Sequence, residues 1–182
     1  MFKVKLVELP EKILREKSKD VPLPLSVEDI ELAEKMIWHV TDSQKEGSQF
    51  RAAVGVAAIQ YGIPKKMFYF RVPDNDGKII VEDLMINPYF EAYSDYKLAL
   101  NTGEGCLSVN EKWPNQEGYI YRPARVILKG YSYLSKKDVT HDLSGYAAIV
   151  AGHEMDHLNG MLFIDRINRK DPFYKPKNSE LI

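Results

Sequence analysis

The run His153-Glu154-Met155-Asp156-His157 constrains this chain more than any other short stretch. Two imidazoles four positions apart share one face of a helix, where both can reach a single metal ion while Glu154 projects nearby as a general base. The surroundings read as that helix. An apolar segment runs from about Gly145 to Leu158 and stops at Asn159-Gly160, residues typical of a helix end. Two imidazoles do not complete a catalytic site, which uses three protein ligands and keeps a fourth position for water or substrate. A catalytic metal site here therefore needs a further ligand from elsewhere in the chain; the alternative for the motif alone is a solvated helix face with ordinary charges.

Around that helix the pattern is mixed. Ser26 followed by Asp29 reads as an N-cap, and Ile30, Ala33, Ile37 and Val40 form the apolar stripe of a helix closed by Gly47-Ser48. Short β-rich runs then occupy Met67 to Val72, Lys78 to Val81, Leu84 to Asn87, Gly118 to Tyr121 and Arg125 to Tyr133. Asp74-Asn75-Asp76-Gly77 reads as a hairpin connection and Asn87-Pro88 as a strand end. A helix, antiparallel strands and a second helix predict an α+β fold, antiparallel β-sheets packed around a central metal-binding helix. Residues 1–182 read as one catalytic domain. The polar, proline-containing tail over 168–182 is expected to be loosely held.

Composition excludes several alternatives. With 25 Lys plus Arg against 26 Asp plus Glu, the net charge of -1 lacks the positive excess that DNA binding needs. No apolar run approaches the roughly 20 residues of a membrane span. Met1 to Pro10 alternates lysine with apolar residues, unlike a signal peptide. A single cysteine forms no internal disulfide, which suits a reducing cytoplasm. A chain of 182 residues buries enough surface to fold without a partner, so a monomer is expected.

That cysteine, Cys106, lies in Gly103-Glu104-Gly105-Cys106-Leu107-Ser108. It could be a third metal ligand, a nucleophile or a small buried hydrophobe. The flanking glycines favour close backbone approach to a ligand. Ala53-Val54-Gly55-Val56-Ala57-Ala58-Ile59-Gln60 is rich in small residues, and the Gln60 amide could stabilise an oxyanion. Tight packing explains that stretch equally well.

Taken in order, these three segments resemble the motifs of the peptide deformylases: Gly-x-Gly-Leu-Ala-Ala-x-Gln, Glu-Gly-Cys-Leu-Ser and His-Glu-x-Asp-His. The resemblance covers roughly residues 5 to 167, and the second and third motifs match fully. Asn101-Thr102-Gly103 and Leu158-Asn159-Gly160 further resemble the longer, type 2 deformylases of Gram-positive bacteria and mycoplasmas. In the first motif Ala53 replaces a glycine and Val56 a leucine, so a positive φ at position 53 would imply strain. Gly152 and Ala151 stand where relatives carry larger residues, which predicts looser packing behind the metal helix.

The resemblance implies hydrolysis of N-formylmethionyl nascent peptides to formate and a free amino terminus. Cys106, His153 and His157 would bind one divalent metal per chain, Fe²⁺ by family habit, replaceable by Zn²⁺, Ni²⁺ or Co²⁺. Glu154 would be the general acid and base, with Gln60 and the Leu107 N–H meeting the oxyanion. Gly55 and Gly105 would bind the substrate backbone, and Val54, Tyr146, Ile149 and Val150 would line the methionine pocket. Helix periodicity independently puts Tyr146, Ile149 and Val150 on the face of His153. Glu104, paired with Arg122, and Asp156 would orient the ligands. His39 and His141 read as surface or packing residues. The basic stretch from Arg166 to Lys177 reads as a solvated terminus, with a transient contact to ribosomal RNA as its functional alternative. Three other activities stay open: a thiol enzyme using Cys106, a zinc endopeptidase, and a non-catalytic metal or peptide-binding module.

Overall fold

A computed structural model describes residues 2–74 and 76–182. Asn75, within the expected turn, lies outside them, but the flanking bonds from the Asp74 N–H to Lys78 O and from the Gly77 N–H to Asp74 O close a hairpin. Helix α1 (Val27–Ser43) starts where Ser26 Oγ accepts the Asp29 N–H at 3.2 Å. Its buried face is Leu32, Ala33, Met36 and Val40, whereas Ile30 is exposed and Ile37 half-buried. The expected stripe was thus rotated: Leu32 and Met36 make an equally good i, i+4 face, and contact with the sheet selects it.

Strands β1 (Gly55–Ala57), β2 (Met67–Pro73), β3 (Ile79–Tyr93), β6 (Arg125–Ser132) and β7 (Lys137–Ser144) form a five-stranded antiparallel sheet in the order β1-β2-β3-β6-β7. Strands β4 (Lys97–Ala99), β5 (Arg122–Pro123) and β8 (Ser179–Leu181) form a smaller sheet, in which β4 and β8 run parallel. Strand β2 is buried on both faces. Phe68, Phe70 and Val72 pack in the cluster of helix α2 (Tyr146–Leu158), and Met67 and Tyr69 pack in that of α1.

Several strand boundaries differ from expectation. The runs at Lys78–Val81 and Leu84–Asn87 are one strand, β3, which passes through Asn87-Pro88 with a register shift between Ile86 and Tyr89 that accommodates the proline. Gly118–Tyr121 is irregular, its Tyr119 N–H bonded to Pro172 O, and pairing begins at Arg122. Strand β7 extends to Ser144 and is largely polar because it is an edge whose residues are mostly solvated.

One residue, Gly145 at φ 60, turns the chain from β7 into α2. Few other residues adopt that angle without strain. The abrupt turn lays α2 across the large sheet, with Ala147, Val150, Ala151 and Leu158 in its core. The tail is not loose at its end. Strand β8 pairs with β4, and Ile182 exchanges backbone bonds with Ala99 and Asn101 at 3.0 and 2.9 Å.

Candidate active site

Helix α2 presents His153 and His157 toward Cys106, which arrives on the loop after β4. Their ligand atoms lie within 4.8 Å of one another, with Cys106 Sγ 3.3 Å from His157 Nε2. A tetrahedral ion with bonds of about 2.3 Å to sulfur and about 2.0 Å to nitrogen would space such atoms by about 3.5 Å. The three residues therefore fit a divalent metal. His153 Nδ1 faces Glu104 Oε2 at 2.8 Å; donating there leaves the Nε2 lone pair for an ion. The Ser108 N–H lies 3.4 Å from Cys106 Sγ, a partner for a thiolate.

A chain of alternating charges stands behind His153. Arg122 donates to Glu104 through Nε and Nη2 at 2.6 and 2.9 Å, and through Nη1 to Asp156 at 2.8 Å. Arg166 grips Asp156 with two further bonds. Burial acts to raise the Glu104 pKa, but the bonds from His153 and Arg122 prevail and hold it at about 2. Arg122 also fills the space beside Gly152, where an added Cβ would meet its Cδ at 3.1 Å. The packing expected to be loose there is closed by an arginine stem.

Glu154 is buried, and among the described residues its Oε2 has no hydrogen-bond partner. Burial lifts its pKa to about 7, with His153 and Arg122 opposing. Such a carboxyl can both take and return a proton near neutrality. Gln60 is oriented by its own backbone: Oε1 accepts the Ala57 N–H at 2.9 Å, which turns Nε2 toward Ser108 Oγ at 3.2 Å and Cys106 Sγ at 3.6 Å. Among the described residues the Leu107 N–H makes no hydrogen bond. Two donors thus flank the ligand cluster.

Cys106, His153, Glu104, Glu154, Gln60 and Leu107 border one cleft of about 620 Å³, and His157 and Ser108 do not line it. Val54, Gly55, Gly105, Tyr146, Ile149 and Val150 line it as well. Arg122 and Asp156 lie behind it. Ala53 is unstrained, since its φ is not positive, and Gln44 Nε2 holds its carbonyl at 2.8 Å. His39 is buried against Tyr61, and His141 pairs with Asp83, both away from the cleft. Arg51 and Arg71 on the cleft wall went unnoticed in the sequence, and Arg166, read there as part of a solvated basic terminus, instead stands behind the cleft on Asp156. None belongs to a motif. Asp156, read in the sequence as orienting the ligands but with no cation assigned to it, was the signal that pointed to Arg166.

A carboxylate poised near neutrality beside three converging metal-ligand atoms has a direct use, the activation of water, and the class it defines is the metal-dependent hydrolases. The sequence profile of the polypeptide deformylases matches residues 3–173. The peptide deformylase of Mycoplasmopsis pulmonis is 50% identical over 93% of each chain, and that of Lactobacillus gasseri 41% over 88% of each. A crystal structure of the Acinetobacter baumannii peptide deformylase with Met-Ala-Ser bound is 28% identical and superposes with a TM-score of 0.73, covering 90% of this chain and 98% of that one. The chain belongs to the polypeptide deformylase family. It is an enzyme that removes the N-formyl group from nascent peptides. No helix among the described residues is long and apolar enough to cross a membrane.

Proposed function

We propose that the enzyme is a type 2 deformylase in which Cys106, His153 and His157 hold one Fe²⁺. The Asn101-Thr102-Gly103 segment and the relatives in Mycoplasmopsis and Lactobacillus support the subclass. The mixed sulfur and nitrogen donor set suits iron, zinc, nickel or cobalt. When bound, the ion supplies a Lewis acid and makes a water acidic enough to attack at neutral pH.

The remaining steps belong to the chain's own residues. Glu154 accepts the water's proton at Oε2 as the formyl carbon is attacked, and delivers it to the departing amine. Gln60 Nε2 and the Leu107 N–H donate to the formyl oxygen as its charge develops. The substrate's main chain pairs with Gly55 on the open edge of β1 and with Gly105 on the facing wall, as an added strand. Its methionine side chain enters between Val54, Tyr146, Ile149 and Val150. Glu104, Arg122 and Asp156 hold His153 in the ligating orientation.

The buried Glu154 carboxyl, whose Oε2 has no hydrogen-bond partner among the described residues, carries this reading. Glu154→Ala should lower formate release from a formyl-Met peptide by about 10²- to 10⁴-fold while elemental analysis finds metal unchanged. Retained turnover would refute the assignment, and cleavage of internal bonds in unformylated peptides would favour an endopeptidase. The protein acts as a cytoplasmic monomer, and Arg169, Lys170 and Lys177 make a transient, salt-sensitive contact with the ribosome. Arg166 is already engaged by Asp156, and Lys175 lies over the Tyr119 ring. Ribosome co-sedimentation unaffected by salt or by neutralising those three residues would oppose that contact.

A further inference from the structure

The cleft carries acidic and basic side chains at different depths. Its inner end holds the buried acids Glu104 and Glu154, and Arg51 and Arg71 line it further out. Five consecutive residues, Arg51 to Gly55, form one wall and lead into β1, an edge strand whose sheet neighbour is β2. Substrate direction follows from the chemistry. Gly55 lies against Glu154, and Gln60 follows beyond β1 beside Cys106. A peptide with its formyl group at Glu154 and Gln60, paired with the open edge at Gly55, runs outward past the irregular segment Val54, Ala53 and Ala52 to Arg51. An extended chain advances about 3.3 Å per residue, so Arg51, four positions from Gly55, stands beside the third or fourth substrate residue.

Arg51 is available to a ligand. Its side chain is 48% exposed, and its salt-bridge partner among the described residues, Glu111, is 83% exposed with Oε1 4.0 Å from Arg51 Nε. A substrate carboxylate can exchange with so solvated a pair at little cost. Arg71 is more constrained, bonded to Gln44 Oε1 and 3.6 Å from Glu82, which offsets its charge.

The geometry points to Arg51 as a specificity-determining residue: the enzyme prefers formylated peptides with an acidic side chain at the third or fourth position. This inference rests on the substrate path proposed above. It is tested with amidated formyl-Met-Ala-Xaa-Xaa peptides in which both Xaa are Glu, Gln or Lys, the amide removing the terminal carboxylate. In the native enzyme kcat/KM should fall in the order Glu, Gln, Lys, with a Glu-to-Lys ratio of about five- to tenfold at low ionic strength that shrinks as salt is added. Arg51→Glu should invert the ratio and Arg51→Gln bring it near one. Equal values for the three peptides, or a ratio that Arg51→Glu leaves unchanged, would overturn the inference with deformylation intact. No formate from any peptide would overturn the deformylase reading and the inference with it.

Discussion

A methyl group on Gly55 would sit 2.5 Å from Glu154 Oε1, inside any normal carbon–oxygen contact, although the backbone there adopts no positive φ. Space, not conformation, requires glycine at this position. In the proposed mechanism the consequence is catalytic, because the carboxylate would have to leave the position from which that mechanism has it transfer the proton. Gly55→Ala should reduce kcat by about a hundredfold, the usual effect of displacing a reacting group by about 1 Å. Metal content, measured beside the rate, should stay unchanged. Full activity in that variant would show that Glu154 works from another rotamer. Gln60 illustrates the same economy, since the Ala57 N–H donates to its Oε1 and so fixes which end of the amide faces the cleft.

At the scale of elements, α1 is held at its start by Ser26 and by an ion pair between buried Asp29 and Lys65, which precedes β2. Burial tends to raise the Asp29 pKa, but Lys65 and Ser26 together bring it below the ordinary 3.8. A carboxyl whose folded pKa is depressed stabilises the fold above its unfolded pKa, and that contribution is lost as pH falls through the folded value. Asp29→Asn should therefore cost about 1–2 kcal/mol at pH 7 and almost nothing below the acid transition. Urea unfolding across pH 2 to 7 checks this, and a pH-independent difference would contradict the ion-pair account. The cap at Ser26 was legible in the sequence because capping is local chemistry. The buried stripe of α1 was not, since Ile30 and Met36 are both apolar and contact with the sheet chooses between their faces. Likewise β7 hid behind Lys137, Asp138 and Asp142, whose polarity reflects an edge position that no local pattern announces.

The whole molecule assembles its site from segments far apart in sequence, and these differ in legibility for one physical reason. Cys106, His153, Glu154 and His157 were readable because their chemistry demands specific residue types at fixed spacings. Arg51 and Arg166 were not, because an arginine's role depends on which acid or ligand the fold brings to it. Arg166 gains its partner only when the segment after α2 folds back on Asp156. From there the contacts run through Arg122 and Glu104 to His153 Nδ1, so a residue 39% exposed at the surface helps orient a ligand imidazole. Asp156 is nearly buried, and losing one of its two arginines leaves Arg122 free to shift toward it and away from Glu104. Arg166→Ala should accordingly release metal to a chelator about tenfold faster. Arg15→Ala, which breaks an arginine–aspartate pair with Asp165, the neighbour of Arg166, but leaves every bond to Asp156 in place, should not. Release is followed by elemental analysis after timed dialysis, alongside thermal unfolding of the metal-free proteins. Equal release from both variants would confine Arg166 to anchoring the C-terminal segment. Faster release from Arg166→Ala alone, with metal-free stability similar to that of Arg15→Ala, would place it in the support of the metal site.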